Sequence, residues 1–140
     1  MNEAETCREF VIPRLLAAGW KDEQIREQVT FTDGRIVPLA GQRAIRRKQK
    51  RADYLLRYQR DFTLAVVEAK DYYHHPANGL QQAKQYAEML GVKFAYATNG
   101  RGIVEHDYLT GQTREMAGFA SPQDLWGRLT GQYSEDKNFT

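Results

Sequence analysis

The chain of 140 residues is poor in cysteine, histidine and proline, with one, three and four of each, and it has no long apolar run. The single cysteine, Cys7, excludes an intramolecular disulfide and any zinc site built from several thiolates. It falls on an early helical stretch, where a cysteine ordinarily fills space rather than attacks a substrate. No segment offers the roughly 20 consecutive apolar residues that a membrane helix requires, and no secretory leader is visible. The expected setting is therefore cytoplasmic, with no membrane partner. A GxxxxGK[ST] loop to cradle nucleotide phosphates is also missing, so ATP hydrolysis is not expected on this polypeptide. Internal repeats and low-complexity tracts are absent as well. The charge is not of one sign: 20 basic against 18 acidic residues leave a net of +2, so any electrostatic specialisation must lie in the distribution of charge.

A hydrophobic fraction of 41% is enough for a core, and the length suits one domain over residues 1–130, followed by a flexible tail or linker start over 131–140. From Asn2 to Ala18 the apolar residues Phe10, Val11, Leu15 and Leu16 recur at helical spacing. Pro13 should kink that helix or begin a second turn, and Gly19 is placed to cap it. EQVTF and RIVPL flank Asp33-Gly34 as a hairpin or irregular crossing. ADYLLRY and TLAVVEAK, joined by the polar tip QRD, should pair as antiparallel neighbours at the centre of a sheet. An amphipathic helix over 80–90 ends at Gly91, the strand KFAYAT ends at Asn99-Gly100, and a further hairpin turns at Thr110-Gly111. Ser121-Pro122-Gln123-Asp124 opens a last surface helix with an N-cap, a first-turn proline and an acidic third position. The expected class is α/β, a central mixed sheet flanked by helices.

Chemistry concentrates at VVEAK, residues 66–70, where a core strand ends in a carboxylate and an ammonium. Strand alternation puts Glu68 and Lys70 on one wall with Leu64 and Val66. An ionised carboxylate there costs several kcal/mol, roughly, unless cations or strong donors meet it. Asp53, on the neighbouring strand, brings a second carboxylate towards the same end of the sheet. Two carboxylates with positions left for water and phosphate oxygens suit Mg²⁺, with Mn²⁺ as a substitute, and Lys70 would then position or help activate the attacking water. The plainer alternative is a structural pairing of lysine with carboxylate. Gln82 and Tyr86 lie four apart on one face of the following helix, within reach of a nucleic-acid backbone or the metal site, unless Tyr86 merely packs on the sheet. Ahead of Asp53 runs the most basic stretch of the chain, Arg43, Arg46, Arg47, Lys48, Lys50 and Arg51, suited to phosphate contacts. Adjacent histidines do not easily face one ion, so His74 and His75 are expected in solvent. Thr98 through Arg101 would border the same cleft.

The order NEAETCREFVIPRLLAAGW, RADYLL, VVEAK, QQAKQY, FAYATNGR, and finally HDYLTGQ and SPQDLW, resembles the N-terminal nuclease domain of type I restriction enzyme R (HsdR) subunits. These form a branch of the PD-(D/E)xK nucleases that carries a QxxxY motif. The resemblance covers nearly the whole chain and implies a restriction-endonuclease-like core. It implies that Asp53 and Glu68 are the metal-binding carboxylates, Lys70 the catalytic lysine, and Gln82 and Tyr86 the QxxxY pair. It further implies a metal-facing glutamate on the first helix, for which Glu3 fits best and Glu5 next. Asp53 follows Arg51-Ala52 rather than a proline. The implied activity is Mg²⁺-dependent cleavage of duplex DNA. Methyltransferase and specificity subunits would be partners, and ATP would be used only in the full-length enzyme. Two other readings share the fold: a non-catalytic nucleic-acid-binding or docking module, and a nuclease acting on RNA or branched DNA.

Overall fold

The computed structural model describes residues 2, 5, 7–32, 35–36, 49–59 and 61–131, with residues 7, 8, 35 and 36 described by backbone alone. A π-helical turn, Cys7–Val11, runs into helix α1, Ile12–Ala17, and Pro13 sits in the first turn of α1. The proline thus starts a new helical segment, since its missing N–H is not needed there. Gly19 follows with φ of 105°, a conformation that ends the helix cheaply only for glycine.

Seven strands make one sheet: β1 Ile25–Thr32, β2 Arg35–Ile36, β3 Lys50–Gln59, β4 Phe62–Ala69, β5 Phe94–Thr98, β6 Ile103–Asp107 and β7 Gln112–Met116. The spatial order is β2-β1-β3-β4-β5-β6-β7. The expected hairpins form, with Thr32 opposite Arg35, Gln59 opposite Phe62 and Asp107 opposite Gln112. β4 and β5 pair in parallel, so the chain between them must cross over the sheet, and helix α2, Leu80–Leu90, makes that crossing. Helix α3, Pro122–Thr130, opens as expected, with the Ser121 hydroxyl accepting from the Asp124 N–H at 3.0 Å.

The central strands of the sheet are buried on both faces. On one side Val11, Leu15, Trp20 and Leu125 pack with Tyr54, Leu56, Val67 and Tyr96. On the other, Ala83, Tyr86 and Ala87 of α2 pack with Leu55, Val66, Ala95 and Phe31. Strands closed in on both faces read as near-continuous apolar runs, as TLAVV and FAYA do. Leu64 departs from its expected wall: it joins the cluster of Ala65 and Val67. The pairing steps from Leu56 with Ala65 to Arg57 with Thr63, which leaves Leu64 as the extra residue of a bulge and interrupts the alternation there.

The loops at the carboxyl ends of β4 and β5 are tied together. The Asn99 amide donates to the His74 carbonyl at 2.6 Å and accepts from the N–H groups of Arg101 and Gly102 at 2.8 and 2.9 Å. A Cβ at Gly102 would stand 2.7 Å from Pro76 Cγ, where no real Cβ fits. Gly102→Ala is therefore expected to cost about 1–3 kcal/mol through overpacking, read as a lower urea midpoint with an unchanged slope. An unchanged midpoint would show that the two loops part without penalty.

Candidate active site

Tyr54 pairs with Val67 and Leu55 with Val66, and the same antiparallel register carried one step further sets Asp53 against Glu68. At that step side chains replace ladder bonds. The Asp53 N–H donates to Glu68 Oε2 at 2.8 Å, and the Ala69 N–H donates to Asp53 Oδ2 at 2.8 Å. Each carboxylate thus reaches across to the opposite strand's backbone. Charge-assisted bonds of this kind offset part of the burial cost, which is considerable for Glu68 at only 4% exposed. Burial raises the Asp53 carboxyl above its usual value. The Ala69 N–H, the charges of Lys70 and Arg51, and a hydrogen bond from the Gln28 side chain pull the other way.

Lys70 leaves the sheet on the side of Glu68. Its N–H extends the β4 to β5 pairing by donating to the Thr98 carbonyl at 2.8 Å. Gly79, the residue just before α2, packs directly on the pair: a Cβ there would lie 3.4 Å from Glu68 Cβ and 3.6 Å from Lys70 Cγ. Gln82 and Tyr86 share a face of α2 as expected, but they bond to each other, the Gln82 amide donating to the Tyr86 hydroxyl at 2.6 Å. The Tyr86 ring is buried and packs edge-on against Phe31 at 5.1 Å, so the packing expected as the alternative role of Tyr86 is present.

Lys50 and Arg51 lie on β3, and Arg51 is exposed two positions before Asp53. Arg43, Arg46, Arg47 and Lys48 fall outside the described residues, as does Glu3. Glu5 is exposed, and it accepts from the Asn2 N–H at 3.5 Å. His74 and His75 are solvent-facing as expected and have local duties. His74 Nδ1 lies 2.6 Å from Asp71 Oδ1, and His75 Nδ1 accepts from the Ala77 N–H. Arg101 stands over the Tyr72 ring, 4.6 Å from its centre, at the rim beyond Lys70.

Two residues of the site escaped the reading of the sequence. Gly79 has no motif around it. Gln28 sits opposite Asp53 on β1 with φ of 53°, a left-handed backbone that costs a residue with a side chain about 1–2 kcal/mol. Its only advance signal was an amide next to an acidic residue in a strand.

Among the described residues no three His, Cys, Asp or Glu side chains come together to hold a metal ion. The two carboxylates are hard oxygen donors on rigid strands, and they fit an ion such as Mg²⁺ that takes one or two carboxylates and completes its shell with water or substrate oxygens. They do not make a closed cage.

The chain is 38% identical over 136 residues to the type I restriction enzyme EcoAI endonuclease subunit of Escherichia coli, covering 92% of this chain and 17% of that protein. It is 53% identical to a solved fragment described as a putative HsdR subunit of a type I restriction enzyme from Vibrio vulnificus YJ016, with a TM-score of 0.81. That match covers 94% of this chain and 26% of the other. The chain is a relative of the HsdR subunits. It spans about a sixth to a quarter of the length of these HsdR relatives. No family model matches the chain. Identity at this level across nearly the whole chain carries the fold with it, and no described helix is long and apolar enough to cross a membrane.

Proposed function

We propose that this chain is the nuclease part of a type I restriction enzyme R subunit and hydrolyses phosphodiester bonds of duplex DNA with Mg²⁺. The observation that carries the proposal is the reciprocal seating of Asp53 and Glu68 across β3 and β4, with Lys70 beside them on the same edge. The naming of the EcoAI relative as an endonuclease subunit supports it. Sequence recognition and translocation would belong to the specificity and methyltransferase subunits and to ATP-using domains elsewhere in the complex.

Asp53 and Glu68 would hold the metal, joined by Glu3 if the first helix supplies a third carboxylate. Mg²⁺ in that position supplies a lowered pKa for bound water and neutralises charge at the phosphate. Lys70 donates hydrogen bonds, through its ammonium, to the attacking water or to a non-bridging phosphate oxygen, and so aligns the two. Lys50, Arg51 and the basic residues before them would hold the DNA backbone without reading sequence. Gln82 fixes the Tyr86 hydroxyl, whose own proton stays available to a phosphate oxygen at the edge of α2.

A second reading has an observation of its own. Each carboxylate already serves the backbone, and a purely structural pairing in a docking module would look the same at this point. Calorimetry separates the two. Titration of Mn²⁺ or Mg²⁺ into the wild-type chain is expected to give a saturable heat that disappears in Glu68→Gln. A docking module gives no heat that depends on Glu68, and that result would overturn the nuclease reading.

A further inference from the structure

We propose that Gln28 is a positioning residue for the metal-binding carboxylate Asp53, an inference that rests on the nuclease reading above. Glu27 pairs with Tyr54 and Val29 with Ala52, so Gln28 stands directly opposite Asp53 on the flank away from β4. Gln28 is the only non-glycine residue with positive φ among those described. Its amide is within reach of the Asp53 carboxylate and weakly favours the charged form, after the Ala69 N–H and the charges of Lys70 and Arg51. That carboxylate thus accepts a backbone N–H of β4 on one side and has Gln28 of β1 opposite it on the other.

The left-handed residue has a consequence for the whole strand pair. Ile25 packs on the face of the sheet that holds Trp20 and Tyr54, whereas Phe31, six positions on and of the same parity, packs against Tyr86 of α2 on the other. On β3 the same exchange occurs: Tyr54 and Leu56 belong to the first face and Ala52 to the second. The strand faces change over at Gln28 and Asp53. Irregular positions of this type re-aim side chains beside active sites. Asp53 consequently reaches across to the Ala69 N–H while its neighbours continue into the core.

Packing does not account for Gln28, because its side chain is exposed. Glycine or asparagine would take the left-handed backbone at lower cost. What glutamine adds is a neutral donor that limits rotation of the carboxylate without competing with a cation for its charge. Partners one step removed from a metal commonly change affinity by about 10- to 100-fold when lost.

The test uses Mn²⁺ calorimetry and thermal melting on the 140-residue chain. Gln28→Gly relieves the backbone and removes the amide, so it should melt at or above the wild-type temperature while binding Mn²⁺ about tenfold more weakly. Gln28→Ala removes the amide but keeps the strain. It should lose the same affinity and melt below Gln28→Gly. A glycine variant that binds Mn²⁺ as the wild type does overturns the proposal, whatever its melting temperature. So does a glycine variant in which melting temperature and affinity fall together, which marks a merely structural residue. If the wild type shows no saturable Mn²⁺ heat, the nuclease reading fails and this inference with it. That outcome is distinct from wild-type binding that Gln28→Gly leaves untouched.

Discussion

Asp53→Asn and Glu68→Gln are each expected to lower Mg²⁺-dependent cleavage of plasmid DNA by about a thousandfold in the assembled restriction enzyme, while ATP hydrolysis by the same preparation stays near the parental rate. The size follows from charge stabilisation worth several kcal/mol, with each 1.36 kcal/mol a factor of about ten in rate. The amides are the informative replacements because the fold uses these side chains too. Glu68 Oε2 accepts the Asp53 N–H, and Asp53 Oδ2 accepts the Ala69 N–H. An amide oxygen can keep both bonds, so the loss reports the missing negative charge rather than a broken sheet edge. Truncation to alanine would confound the two, since a buried N–H left without its acceptor costs about 1–3 kcal/mol. Conversion of supercoiled to linear plasmid is the measurement. Parental cutting by either variant would remove its residue from the site.

Glu105→Ala should be the most destabilising single change of those considered, by about 3–5 kcal/mol in urea denaturation, because it strips a buried ionic cluster of its centre. Glu105 is 0% exposed. It accepts from the Tyr96 hydroxyl at 2.6 Å, from Arg128 at 3.0 Å and from Arg114 at 3.2 Å. Arg128 also reaches Asp107 at 3.3 Å and Asp124 at 2.7 Å, so the cluster fastens α3 to β6. Burial pushes the Glu105 carboxyl up, yet the Tyr96 and Arg128 bonds outweigh it and leave the group below its ordinary value of 4.5. Its own burial first, and then the Glu105 carboxylate, push the Tyr96 phenol well above its ordinary range. With its folded pKa depressed, Glu105 contributes stability above about pH 4.5 that is lost as pH falls through the lower folded value. Glu105→Gln keeps the shape and removes that part of the acid slope, which separates charge from packing. A loss under about 1 kcal/mol for Glu105→Ala would mean that Arg128 finds solvent without cost.

The elements that the sequence made legible are those specified locally. Helical spacing over 80–90 and the glycine after it describe α2, and Ser121-Pro122-Gln123-Asp124 describes the start of α3. The turn pairs delimit the hairpins. VVEAK and the strand before it carry enough alternation to pair Asp53 with Glu68, because a hairpin fixes its own register over a few residues.

Tertiary structure decided whatever depends on partners distant in sequence. β1 lies beside β3 although residues 33–49 separate them, and only that register brings Gln28 to Asp53. Arg128 finds Glu105 across 23 positions, and Gly79 comes under Glu68 and Lys70 because α2 must cross over between parallel strands. The bulge that turns Leu64 aside is a matter of how β3 and β4 fit against each other, not of either strand's composition. Alternation, helical period and turn chemistry are properties of neighbours in the chain, so they specify the strands, the helices and the strand positions of the two carboxylates. The groups that hold those carboxylates in place were decided by packing, because a hydrogen bond is fixed by distance in space and leaves no mark on spacing along the chain.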